Sequence, residues 1–279
     1  MVKYDIMQED VLLKEQEAGM GVKLSVLILA KNEEKNIEDC IKSVLFAEEI
    51  IVIDDFSTDR TREIAKSLGA RVVQHALEGN WGAQQTFAIG EASHDWIYFL
   101  DADERVTKGL AAKLTELVEA DDRRYAYCHA RLNYFWEQPL RHGGWFPDYV
   151  VRLLPKAGTY VTGLVHQAIH HDYQEVHLPR DLYIVHYPYR DWNHYLSKLN
   201  FYTGLAADKM HKAGKRASFI DFITHPFWAS FRMYVLRGGW RDGRIGFVLA
   251  AFHYFYTMAK YVRLYYLDKT NGHVADGKE

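Results

Sequence analysis

Trp96-Ile97-Tyr98-Phe99-Leu100 is an unbroken apolar run that closes on Asp101-Ala102-Asp103-Glu104. Such a run predicts a strand buried on both faces, and open parallel sheets gather their ligands at the carboxyl ends of such strands. The same pattern occurs twice upstream. Leu24 to Ala30 is followed by the polar Lys31-Asn32-Glu33-Glu34, and Ile50 to Ile53 by Asp54-Asp55. Between the runs the period changes from strand to helix. Ile37, Cys40, Ile41, Val44 and Leu45 recur at helical spacing, and Ile64, Ala65 and Leu68 form a second apolar face, with Ser57, Thr58 and Asp59 as N-caps and Gly69 as a stop. Arg71 to Gln74 reads as a short strand, and Trp81 to Ile89 as a helix carrying Gln84 and Gln85. Thr107 caps a further helix with Leu110, Leu114, Leu117 and Val118 inward, before Tyr125 to Ala130 resumes as strand. Strands alternating with helices in this way predict an α/β fold, a mainly parallel sheet with helices on both faces.

From residue 191 the pattern changes. Asp191 to Lys212 reads as a polar and aromatic helix, and Phe219, Phe222, Ile223, Phe227, Trp228, Phe231, Tyr234 and Val235 form a wide apolar stripe that Pro226 is expected to break. Ile245 to Ala259 holds no formally charged residue, but its 15 residues fall short of the ~20 that span a bilayer. We therefore expect an N-terminal arm over 1–22, a catalytic domain over 23–190 and a helical region over 191–279.

Charge sharpens this division. The 279-residue chain has a formal net charge of −3, yet residues 209–269 hold eleven Lys or Arg against three Asp. A basic, aromatic segment on an acidic body predicts an anionic partner. The mixture of apolar stripe, Trp, Tyr and Arg favours peripheral attachment to the cytoplasmic face of the inner membrane over nucleic acid, for which no binding motif is present. The two cysteines, Cys40 and Cys128, predict buried thiols rather than a disulfide framework, and the acidic start is unlike a secretory signal.

Three polar clusters after three strands point to a ligand crevice at one sheet edge. Asp101 and Asp103, one residue apart, suit Mg²⁺ or Mn²⁺ carrying phosphate oxygens. Together, Leu27-Ile28-Leu29-Ala30-Lys31-Asn32-Glu33, Ile51-Val52-Ile53-Asp54-Asp55-Phe56-Ser57-Thr58-Asp59 and Phe99-Leu100-Asp101-Ala102-Asp103 resemble the inverting family 2 glycosyltransferases of GT-A fold, over roughly residues 23 to 170. The resemblance implies that Ala30, Asn32 and Glu33 border the nucleotide of a nucleoside-diphosphate sugar, that Asp55 holds its base or ribose, and that Asp101 touches ribose or metal. Asp103 would be the main metal ligand, with Asp54, Ser57, Gln84 and Ala102 in the same donor-binding set.

The second half resembles the subgroup acting on lipopolysaccharide core, through Gly143-Gly144-Trp145-Phe146-Pro147-Asp148, Val151-Arg152-Leu153-Leu154 and Val165-His166-Gln167. Where that subgroup has His-Glu, this chain has His166-Gln167, and an amide takes no proton at neutral pH. Asp148 and His166 remain as candidate bases, and His166 also as a metal ligand. An acceptor that is already ionised, such as a polyprenyl phosphate, needs neither. Arg152 suits a diphosphate or a sugar carboxylate. The resemblance thus implies an inverting transferase acting on a lipid-anchored glycan or polyprenyl phosphate, with a homo-oligomer left open. Its rivals are a sugar-phosphate nucleotidyltransferase and a non-catalytic membrane scaffold with a degenerate pocket.

Overall fold

The computed structural model describes residues 21–163, 168–189 and 191–270. Residues 1–20, most of the expected arm, lie outside them, as do His166 and Gln167. The chain divides into two compact units, residues up to 131 with 148–186, and residues 132–147 with those from 187 onward. The inclusion of 132–147 in the helical unit was not visible in the sequence.

In the first unit the strands are β1 (Val22–Ala30), β2 (Ala47–Asp54), β3 (Arg71–Gln74), β4 (Trp96–Asp101), β5 (Glu104–Val106), β6 (Tyr125–Phe135, which runs on into the second unit), β8 (Asp148–Pro155), β9 (Tyr160–Thr162), β10 (Ala168–His170), β11 (Gln174–His177) and β12 (Tyr183–His186). The short β7 (Gln138–Pro139) pairs with the end of β6 in the second unit. The main sheet runs β3-β2-β1-β4-β8-β6-β12-β5, with β11 beside β6. Its first four strands are parallel, whereas β4 pairs antiparallel with β8 and β8 with β6. The sheet is therefore mixed. Periodicity reports a buried strand but not its direction, so the expected parallel order held only as far as β4.

Alternation along the strands separates two core layers. Val26, Ile28, Val52, Tyr98 and Leu100 pack on one face with Leu110, Leu114 and Val118 of the Lys108–Ala120 helix. Leu27, Ile51, Ile53, Ile97 and Phe99 pack on the other with Ala88 and Ile89 of the Trp81–Glu91 helix. Burying both faces is what makes these strands read as continuous apolar runs. Two capping expectations fail. Thr107 gives its hydroxyl to the Tyr183 carbonyl instead of the helix start, and Ser57 turns to the neighbouring loop.

The second unit is helical. Asp191 caps the Trp192–Lys212 helix by accepting from the His194 N–H at 2.8 Å. The Asp221–Phe231 helix passes through Pro226 without ending, then opens into a π-helical turn over Arg232–Leu236. After the turn Gly239–Asp242, the long helix Gly243–Lys269 follows. A Cβ at Gly246 would lie 1.9 Å from the Gly239 carbonyl oxygen, so only glycine permits this approach. Buried Asp242 accepts from the His142 N–H at 2.9 Å and lies 2.7 Å from its Nδ1, which ties the 132–147 segment to the helices.

Candidate active site

The register sets the site. Ala30 lies opposite Asp54 across β1 and β2, and Leu29 opposite Asp101 across β1 and β4, so all three polar clusters leave the sheet at one edge. The loops after β1 and β2 are then zipped together. Asn32, in the left-handed region at φ 54°, donates its N–H to Ser57 Oγ at 2.9 Å and accepts from the Thr58 N–H at 2.8 Å. Asparagine tolerates that backbone better than most residues. The Glu33 N–H donates to Thr61 Oγ1 at 2.7 Å, and the Glu34 N–H to Asp59 at 3.1 Å. Fully buried Asp54 accepts from the Ser57 N–H at 3.1 Å. Asp54, Ser57 and the Asn32 amide thus build the loop wall, and Asp55 is the largely covered carboxylate beside it.

Asp55 accepts from Lys31 Nζ at 2.7 Å and from the Leu77 N–H at 3.1 Å. Burial alone would raise its pKa, but the Lys31 and Leu77 hydrogen bonds outweigh burial and lower it. It is therefore an anion with a lone pair left on each oxygen. Gln84 is spent differently. Its amide nitrogen donates to the His75 carbonyl at 2.8 Å and its oxygen lies 2.5 Å from His75 Nδ1, so it braces the segment before its helix. Its neighbour Gln85 has a buried Oε1 with no partner among the described residues.

Beyond β4 the carboxylates and guanidinium groups alternate. Arg152 Nη2 donates to Asp101 Oδ2 at 2.7 Å and to both oxygens of Glu104, at 2.8 and 2.9 Å. Glu104 also accepts from the Asp101 N–H at 3.0 Å and from Arg131 at 3.5 Å, and Arg131 in turn holds Asp148 Oδ2 through Nη2 at 2.7 Å. The ladder runs Asp101, Arg152, Glu104, Arg131, Asp148. Burial pushes the Asp101 carboxyl upward, but Arg152 outweighs it and holds the group below its usual range. For fully enclosed Glu104 burial prevails over Arg152, and its pKa is raised. Arg152, expected to meet substrate, is instead buried between two carboxylates and fixes the acidic turn.

That turn leaves Asp101 Oδ1 without a hydrogen bond among the described residues, and places Asp103 Oδ1 3.6 Å from His186 Nε2. The donor set fits a hard divalent cation, which takes one or two carboxylates and completes its shell with phosphate oxygens and water. Asp101, Asp103 and His186 are the residues that would hold it. Among the described residues, the three-residue group whose ligating atoms all lie within 4.8 Å of one another is elsewhere, at Cys128, Glu175 and His177. Asp148, 39% exposed, is gripped through Oδ2, and its Oδ1 has no hydrogen bond among the described residues.

The sequence reading missed Glu104, Arg131 and His186. His186 had a signal. It closes the apolar run Tyr183-Ile184-Val185 as Asp101 closes its own.

A parallel half-sheet with an acidic turn at its carboxyl edge, flanked by an antiparallel strand that reaches back to that turn, makes a ligand crevice of the α/β kind at that edge. Residues 25–204 match Glycosyl transferase family 2, and the chain belongs to that family. It is 31% identical over 259 residues to the lipopolysaccharide core biosynthesis glycosyltransferase LpsC of Rhizobium meliloti (strain 1021), covering 85% of this chain and 91% of that protein. It is also 31% identical over 252 residues to an uncharacterized glycosyltransferase of Rickettsia bellii (strain RML369-C), covering 85% of each. Among solved structures it is similar to glucosyl-3-phosphoglycerate synthase from Mycobacterium tuberculosis in complex with Mn²⁺, UDP and glucosyl-3-phosphoglycerate, with 25% identity, a TM-score of 0.34, and 44% of this chain and 47% of that one covered.

Proposed function

We propose that this glycosyltransferase moves a hexose from a UDP-linked sugar to a lipid-anchored glycan or polyprenyl phosphate, with inversion, in surface-polysaccharide or lipopolysaccharide core assembly at the cytoplasmic membrane face. The observation that carries the reading is the common sheet edge shared by Asp55, Asp101 and Asp103. Asp55 accepts hydrogen bonds from uracil N–H or ribose hydroxyl. Asp101 and Asp103 would hold Mg²⁺ or Mn²⁺, whose charge would offset that of the departing diphosphate. Arg152 and Glu104 keep the acidic turn in place, so that its carboxylates need not reorganise during the reaction.

Inversion in one displacement requires attack from the face opposite the leaving diphosphate. Asp148, aimed by Arg131 and open at Oδ1, takes the proton of an acceptor hydroxyl, and a phosphate acceptor would need no such base. His166, the other candidate base and a candidate metal ligand, and Gln167, at the position of the subgroup's Glu, lie outside the described residues. Similarity to LpsC supports a core-glycan acceptor.

The test is release of nucleoside diphosphate from a panel of sugar nucleotides, with Mn²⁺ and membrane lipid extract, with and without EDTA. The expected result is one preferred UDP-sugar, label transferred to lipid, and loss of transfer on chelation. Transfer undiminished by EDTA would remove the metal. Donor bound but never consumed would mark a non-catalytic protein.

A further inference from the structure

The Asp221–Phe231 helix is apolar on two sides, and only one of them is used. Phe222 packs edge-on against Tyr265, His225 stacks on Tyr261 and Ser230 Oγ donates to the Ala250 carbonyl, so these residues face the Gly243–Lys269 helix. Ile220, Ile223, Phe227 and Phe231, at helical spacing on the opposite side, are all exposed, with Trp228 beside them. Phe219 is 72% exposed and Phe227 64%. The stripe continues through the π turn in Val235 and Leu236, also exposed. A helix apolar all round belongs in a core or in lipid, and an exposed patch of such large side chains marks a docking surface.

The border of the stripe says which surface. Arg232 follows Trp228 by one turn, and Arg237, Arg241 and Arg244 come next along the chain with Trp240 among them. All four arginines are exposed, and among the described residues none pairs with a carboxylate; Arg241 lies over the Trp240 ring. Among the described residues, no helix is long and apolar enough to cross a membrane. Apolar side chains bordered by unpaired guanidinium groups and indoles complement the interfacial zone of an anionic leaflet, where such a helix lies in plane about 5–10 Å deep.

We propose that the outer face of residues 219–236 is an in-plane anchor for anionic phospholipid, with Phe227 and Trp228 inserted and Arg232, Arg237, Arg241 and Arg244 on the headgroups. The inference rests on the lipid-anchored acceptor proposed above and says where the enzyme meets it. Burial of one aromatic side chain contributes on the order of tenfold in partitioning, and one arginine near an anionic surface about fivefold.

The full chain is sedimented with vesicles of phosphatidylethanolamine and phosphatidylglycerol, and with vesicles of phosphatidylcholine alone. The expected result is preference for the anionic vesicles, weakened by salt, with partitioning reduced about tenfold or more by Phe227→Asp and by Ile223→Asp, and about fivefold by Arg232→Glu. Both apolar sites point to solvent, so unchanged circular dichroism and unchanged UDP-sugar binding are expected in each variant. The anchor is overturned if wild type stays in the supernatant with both lipids, or if the Phe227→Asp and Ile223→Asp variants pellet as wild type does. It is likewise overturned if Phe227→Asp instead dissolves a dimer seen by sedimentation velocity and leaves vesicle binding intact, which would make the face a contact between copies. Donor turnover in detergent, measured on the same samples, reports on the transferase reading separately.

Discussion

The arginines around the acidic turn and those beside the apolar stripe do opposite work. In the sheet unit Arg71 meets Glu91 at 2.7 Å, Arg123 meets Asp121 at 2.7 Å, Arg131 meets Asp148 at 2.7 Å and Arg152 meets Glu104 at 2.8 Å. In the helical unit Arg232, Arg237, Arg241 and Arg244 meet no carboxylate among the described residues. Large apolar side chains divide the same way. In the sheet unit Trp96 and Phe99 are buried, whereas in the helical unit Phe219, Phe227 and Trp228 face outward. The sheet unit satisfies the charges around its acidic turn internally; the helical unit pairs Arg216 with Asp268 but leaves the four arginines beside the apolar stripe unpaired among the described residues, which is the condition for binding something else.

The contrast is broken most strongly at Arg152. Arg152→Met strands fully buried Glu104 beside the partly exposed Asp101, and a loss of about 3 kcal/mol in urea denaturation is expected. A loss below about 1 kcal/mol would mean that the ladder is not structural. Arg232→Met, by comparison, should change stability by no more than about 0.5 kcal/mol.

A smaller effect comes from His129, which is buried with its Nε2 2.8 Å from the Tyr98 hydroxyl. Burial, and then the nearby Arg152 charge, pull its pKa from 6.5 down to about 3. Below pH 6.5 the unfolded chain takes up a proton that the folded chain refuses until about pH 3, so stability falls with acidification across that window. Above 6.5 neither state holds the proton and the contribution is constant. The expected loss is about 1.4 kcal/mol per pH unit, and His129→Phe should flatten that slope. Urea midpoints at several pH values check it, and equal slopes in both proteins would show the imidazole to be protonated in the fold.

The smallest effect compares the two sides of one helix. Phe222→Ala, on the inward side, should cost about 1–2 kcal/mol because its ring is partly covered, and Phe227→Ala no more than about 0.5 kcal/mol. Thermal unfolding of the two variants side by side reads this directly, and equal losses would remove the distinction between the faces.

Much of this was legible in the sequence, for a physical reason. Trp96 to Leu100 and Ile50 to Ile53 are buried on both faces, so their apolar runs and terminal acids could be read locally. Asn32, Asp55, Asp101 and Asp103 reach one edge because parallel strands end together. What was hidden depends on pairing through space. Nothing local in Asp148 to Pro155 says that it inserts antiparallel beside β4, and that placement is what delivers Arg152 to Asp101 and Arg131 to Asp148. Glu104 lay in plain view beside Asp103, but its burial follows from Arg152. Pro226 was expected to break the helix, and instead the helix continues through it into a π turn.

The central claim is that the acidic turn after β4 holds a cation together with the donor diphosphate. Calorimetric titration of UDP in the presence and absence of Mn²⁺, on wild type and Asp103→Asn, tests it most directly. Metal should strengthen UDP binding by wild type at least about tenfold, and the Asp103→Asn variant, folded by circular dichroism, should lose that enhancement. An undiminished metal effect in Asp103→Asn would contradict the account.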